Sequence, residues 1–139
     1  MSYGVSLALQ RAVFAALEAD AGVQALVPGR IFDAAPSGPV PELYVTLGPE
    51  KVRDRSDSTG AGALHDLQIS VIGGPEGFSA AKQVAVAVTD ALTGVSGAGP
   101  GPLERGRLVA LHFLRAVARR ESGGARRRID LSFRARVED

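Results

Sequence analysis

Residues 126–139 read RRRIDLSFRARVED, and the fold turns on how they are taken. Five arginines in fourteen residues suit a disordered basic arm laid on nucleic acid. They equally suit a strand that keeps its charges on one side. Period two decides between them. Ile129, Leu131, Phe133, Ala135 and Val137 share one face, while Arg128, Asp130, Ser132, Arg134 and Arg136 share the other. A disordered arm has no reason to alternate, so the stretch reads as a strand with a basic outer face.

Working outward, RRESGGAR at 119–126 carries turn residues, so 107–118 and 127–137 pair as a hairpin. HDLQISVI at 65–72 alternates in the same way, with Leu67, Ile69 and Val71 opposite Asp66, Gln68 and Ser70. The β-branched and aromatic residues of 42–47 predict a further strand. Between these strands, 79–92 is helical: Ala80, Ala81, Val84, Ala85, Val88, Ala91 and Leu92 line one face. Ser79 stands as its expected N-cap and Gly94 just beyond its end. Residues 5–20 predict a first helix with Gly22 as C-cap, followed by a helical turn and a brief extended piece at 30–32. The order α-β-β-α-β-β predicts an α+β fold, two helices on one face of a mainly antiparallel sheet of about four strands. Residues 1–139 are expected to form a single domain, with a long loop at 48–63 and a flexible loop at 94–106.

The first helix carries two apolar stripes. Val5, Leu9, Ala12, Val13, Ala16 and Leu17 face the core, whereas Leu7 and Phe14 lie on a second line beside Arg11 and Glu18. Another subunit or a loop of the same chain could cover that second line. The 48–63 segment is polar and interleaves Lys51, Arg53 and Arg55 with Asp54 and Asp57, a pattern that suits a contact loop.

The net charge of +1 hides an asymmetry. Residues 107–139 hold nine arginines against four acids, and the remainder is correspondingly acidic. There is no cysteine, which excludes disulfides and thiolate metal sites. No apolar run reaches the ~18–20 residues that span a bilayer, and a cytoplasmic origin is expected. His65 and His112 lack metal-ligand spacing, SGAGPGP at 96–102 lacks the lysine and serine of a phosphate loop, and no nucleophile turn occurs. An enzyme is therefore not expected, and neither is a cofactor or a metal.

The first half also resembles a known family. Residues 17–48, LEADAGVQALVPGRIFDAAPSGPVPELYVTLG, carry L-x-A-D at 17–20, V-x-A-L-V at 23–27, G-R-I-F at 29–32 and A-P-x-G at 35–38. A proline-led strand follows at 41–45. These elements, with HDLQISVIG and the helix ending in A-L-x-G, resemble the tail completion (tail terminator) family of long-tailed phages and phage-like particles. The resemblance implies a structural ring, usually a hexamer, on the head-proximal end of the tail tube. Its implied partners are further copies of itself, the tail tube protein and a head connector or stopper, with DNA passing through the ring without specific binding. On that reading Leu7, Arg11 and Phe14 are a candidate subunit interface. Lys51, Arg53, Asp54, Arg55 and Asp57 are a candidate contact with the tube or a neighbour. Arg128, Arg134 and Arg136 form a candidate lumen or partner face. The rival readings are a head-completion or stopper protein, a small nucleic-acid-binding module, and a small enzyme.

Overall fold

The computed structural model describes residues 3–34, 38–57, 60–95 and 99–139. A short 3-10 turn at Tyr3–Val5 leads into α1 (Ser6–Ala19), α2 (Ala21–Leu26), β1 (Ile31–Phe32), β2 (Tyr44–Asp54), β3 (Gly62–Gly73), α3 (Ser79–Thr93), β4 (Arg107–Glu121) and β5 (Arg126–Glu138). One five-stranded sheet runs in the order β1-β2-β3-β5-β4. β1 is parallel to β2, and every other pair is antiparallel. The expected layering holds, but the described residues form five strands and three α-helices. α2 is a helix in its own right because Asp20 leaves α1 in extended geometry and its carboxylate accepts the Val23 N–H at 3.0 Å. Gly22 thus lies inside α2 and does not cap α1. β1 is the brief extended piece expected at 30–32, two residues of which pair with β2 as a fifth strand.

The C-terminal strand settles as expected. Ile129, Leu131, Phe133, Ala135 and Val137 are all buried, and they pair across β3 with Val71, Ile69, Leu67, His65 and Ala63. That floor meets Val5, Leu9, Val13 and Leu17 of α1 and Ala81, Val84, Val88 and Leu92 of α3 in one core cluster. Ala80 is exposed rather than part of that face. Phe78, not Ser79, occupies the N-cap position of α3 and makes no side-chain cap bond. Gly94 does close the helix, at φ 84°, a conformation that costs a residue with a side chain more than glycine.

One expected loop is corrected. Most of 48–63 is strand: β2 runs on to Asp54 and β3 begins at Gly62. The pattern hides this because Val52 is the one apolar residue between Glu50 and Asp57, and because β2 gains one residue against β3 between Leu47 and Glu50. That bulge holds Gly48 and Pro49 on an edge left open beyond two-residue β1, where proline's missing N–H removes no ladder bond. The connection at 94–106 has neither helix nor strand among its described residues. Leu103 packs on the core, and Arg105 pairs with Asp139 at 2.8 Å. The phosphate-loop comparison at 96–98 lies outside the described residues.

β4 and β5 form a long hairpin closed by Ser122–Gly124, where Ser122, Gly123 and Gly124 all have positive φ. β4 is the outermost strand, two bulges interrupt its pairing with β5, and its outer edge has no partner strand. No helix is long and apolar enough to cross a membrane among the described residues.

Candidate interaction surfaces

The sheet face away from the helices carries Arg128, Arg134 and Arg136 of β5. Arg134 donates two hydrogen bonds to Asp66, at 2.7 and 3.2 Å, which hold the Asp66 carboxyl below its usual range. Arg128 donates to Asp130 at 2.8 Å and to Ser70 at 3.1 Å, while the Ser70 hydroxyl donates to Asp130 at 2.7 Å. Burial pushes Asp130 up, but the bonds from Ser70 and Arg128 outweigh it and leave the group below the usual range. Arg119 approaches the same carboxylate at 3.4 Å. Two of the three expected basic residues are thus neutralised within the fold. Arg136 is exposed and makes no ion pair with any described residue. It shares this face with Lys51, Arg53 and Arg115, so the surface keeps a positive excess without a row of free guanidinium groups.

The second stripe of α1 is divided by the fold. Leu7 is 56% exposed, but Phe14 is half-buried and packs against its own core. Arg11 pairs with Glu104 of the 94–106 connection at 3.1 Å. The same chain therefore covers part of the stripe and leaves Leu7 bare.

The candidate contact loop is the outer half of the β2–β3 hairpin. Lys51, Arg53, Asp54, Arg55 and Asp57 are all exposed. Its turn is internally bonded: the Arg55 N–H donates to the Gly62 carbonyl at 2.7 Å, the Asp57 N–H to Gly60 at 3.0 Å, and the Gly60 N–H to the Asp57 carboxylate at 2.9 Å.

The two histidines lie apart. His112 is exposed on the outer face, opposite Arg134. His65 is fully buried under the helices, with Nδ1 3.0 Å from Glu50. The Ser6 hydroxyl donates to that same carboxylate at 2.7 Å. The β2 bulge shifts the strand's phase so that Glu50 points inward to meet both. This string ties α1 to the hairpin. The hydroxyl and the imidazole both engage the carboxylate, so the histidine is not placed as a base for the serine. No group of three or more metal-ligating side chains gathers among the described residues.

β4 is the surface that sequence reasoning missed. Val109, Phe113, Leu114 and Val117 are all exposed. Phe113 stands edge-on to Phe133 with ring centroids 5.8 Å apart, on the helix side of the sheet. The clue was visible: apolar residues in β4 come in adjacent runs (Leu108 to Leu111, Phe113 with Leu114, Ala116 to Ala118) instead of alternating. Such runs mark bulges or a strand apolar on both faces. Against α3 this strand leaves a groove of about 420 Å³, lined among others by Val86, Phe113, Ala116 and Leu131.

Comparison with known proteins gives these surfaces a context. The sequence matches the family described as tail completion protein gp17 over residues 11–138. No curated protein matches it. Among solved structures, a chain from the virion of a native gene transfer agent particle superposes with a TM-score of 0.89 at 56% sequence identity. That alignment covers 99% of this chain and 100% of the other. The family match spans nearly the whole chain and the fold persists at this identity, so the chain belongs to the tail completion protein gp17 family.

Proposed function

We propose that this protein forms a ring, six-membered by family resemblance, that caps the head-proximal end of a tail tube. It ends tube growth and joins the tail to the head of a phage-like or gene-transfer particle. The observation that carries this reading is the 56% identity, over 99% of the chain, to a component of a gene transfer agent virion. The surfaces suit a structural ring. Leu7 on α1 and the apolar residues of β4 are both bare, two separate surfaces of the kind that subunits meeting through different faces require. The hairpin tip with Arg53, Asp54, Arg55 and Asp57 projects as a rigid contact for the tube or a neighbour. Arg128 and Arg134 are satisfied by Asp130 and Asp66, which suits a channel wall or a protein contact. DNA then passes without being gripped, because each additional phosphate contact would add affinity and slow its transit.

The location of the chain tests this reading. A single cysteine introduced at the exposed Ser122 can carry a gold label, because the chain has none of its own. Gold at the head–tail junction in negative stain is the expected result. Gold at the tail tip, or spread along the tube, would overturn it.

A further inference from the structure

The helix layer is narrower than the sheet it covers. Strands lie about 4.8 Å apart and a helix is about 10 Å wide with its side chains, so α1 and α3 cover about four strands. β4 is the fifth. The groove left beside α3 is floored by Ala116, Ala118, Ile129 and Leu131 and walled by Val86 and Phe113. Val86 is 61% exposed and Phe113 43%, high values for large apolar side chains on one surface. The two ends of the groove differ in charge. Lys82 and Ala118 mark one end, with Arg120 next along the same face of β4, and Asp90 and Phe113 mark the other. Arg120 has no ion pair among the described residues. On the other helix, α1 exposes Leu7, Ala15 and Glu18, and Glu18 likewise has no ion pair among the described residues.

We propose that the groove receives α1 of a second copy of this chain, antiparallel to α3, with Leu7 against Phe113 and Glu18 toward Lys82 and Arg120. The spacing fits. Leu7 and Glu18 lie about 16 Å apart along a helix. Phe113 and Arg120 lie about 20 Å apart along a bulged strand, a difference the long glutamate and arginine side chains can bridge. Arg11, between them on α1, is already neutralised by Glu104. A groove-to-groove contact is disfavoured, because β4 carries Arg107, Arg115, Arg119 and Arg120 against one acid, Glu121. Each copy then offers the α1 face as one surface and the groove as another, a heterologous contact that repeats from copy to copy around a ring. This proposal rests on the ring reading and supplies its geometry.

Thiol mapping tests it, on chains co-expressed in particle-producing cells and examined both free and in purified particles. With a short bis-maleimide, Leu7→Cys alone and Phe113→Cys alone are expected to stay uncrosslinked. Co-expressed, they should give a dimer; combined in one chain, they should give a ladder of covalent oligomers. Glu18→Lys should weaken each contact roughly fivefold, the scale of an exposed ion pair, with recovery when Lys82→Glu and Arg120→Glu are added. Crosslinking of Phe113→Cys to itself overturns the proposal. So does an empty mixture while the wild type is a ring, or a charge swap that fails to recover. A wild type that is monomeric both free and in particles overturns the ring reading, and this contact with it.

Discussion

Asp66 and Asp130 each pair with an arginine of β5 on the same sheet face, yet alanine at the two positions should have very different consequences. Asp130 is 8% exposed, and its carboxylate accepts from both Arg128 and the fully buried Ser70. Asp130→Ala leaves a half-buried guanidinium and a buried hydroxyl without that acceptor. Breaking a fully buried charged pair costs about 3–5 kcal/mol. Here Arg128 keeps part of its solvation and has Glu121 3.7 Å away as a second partner, which reduces the cost to about 2–3 kcal/mol. At about 3 °C per kcal/mol for a chain of this size, the melting temperature should fall by about 6–9 °C. Asp66→Ala removes a bidentate pair of better geometry but in contact with water, so its melting temperature should move within experimental scatter. Circular dichroism melts of both variants at neutral pH provide the assay, with Asp130→Asn intermediate because the amide keeps an acceptor for Ser70. Equal losses for the two alanine variants would show that burial does not decide the strength of these pairs, and the reasoning would fail.

Three further predictions concern core, pH and nucleic acid. Phe133→Ala, at a fully buried site that also supports Phe113, should lower the unfolding free energy by about 3–5 kcal/mol in urea titrations; a loss under 1 kcal/mol would contradict the packing described. Asp66 and Asp130 both sit below the usual carboxylate range in the folded state, so their stabilisation is complete above the unfolded value near ~3.9 and is lost as pH falls through the folded values. Urea midpoints should therefore hold from pH 7 to 5 and drop below pH 4, less steeply in Asp130→Asn; an unchanged slope would exclude Asp130 as a source. Neither the wild type nor Arg128→Gln combined with Arg134→Gln and Arg136→Gln should bind duplex DNA in anisotropy titrations at physiological salt, and tight, salt-sensitive binding by the wild type that the variant loses would point to a nucleic-acid role.

Much of this was legible in the chain itself. Ile129 through Val137 declared their strand because a buried face forces strict alternation, and 79–92 declared a helix for the same reason at period 3.6. Residues 48–54 did not, because the bulge at Gly48 and Pro49 shifts the phase and the inward positions after it are Glu50, a charge matched to buried His65, and the lone apolar Val52. Asp20 looked like the end of one helix while also beginning the next, a capping role that shows only once the carboxylate is placed on the Val23 N–H. The groove beside β4 was illegible for a different reason. It is set by how many strands two helices can cover, a property of the assembled layers that no local window contains. Leu7 and Phe14 likewise read as one stripe, until the 94–106 connection and the core divided them.

The account turns on the claim that this chain ends a tail. Deleting its gene in the producing cell and imaging the particles by electron microscopy tests that most directly. Overlong or irregular tails detached from heads are the predicted result. Tails of normal length beside unjoined heads would shift the role to the head side, and intact particles would contradict the account.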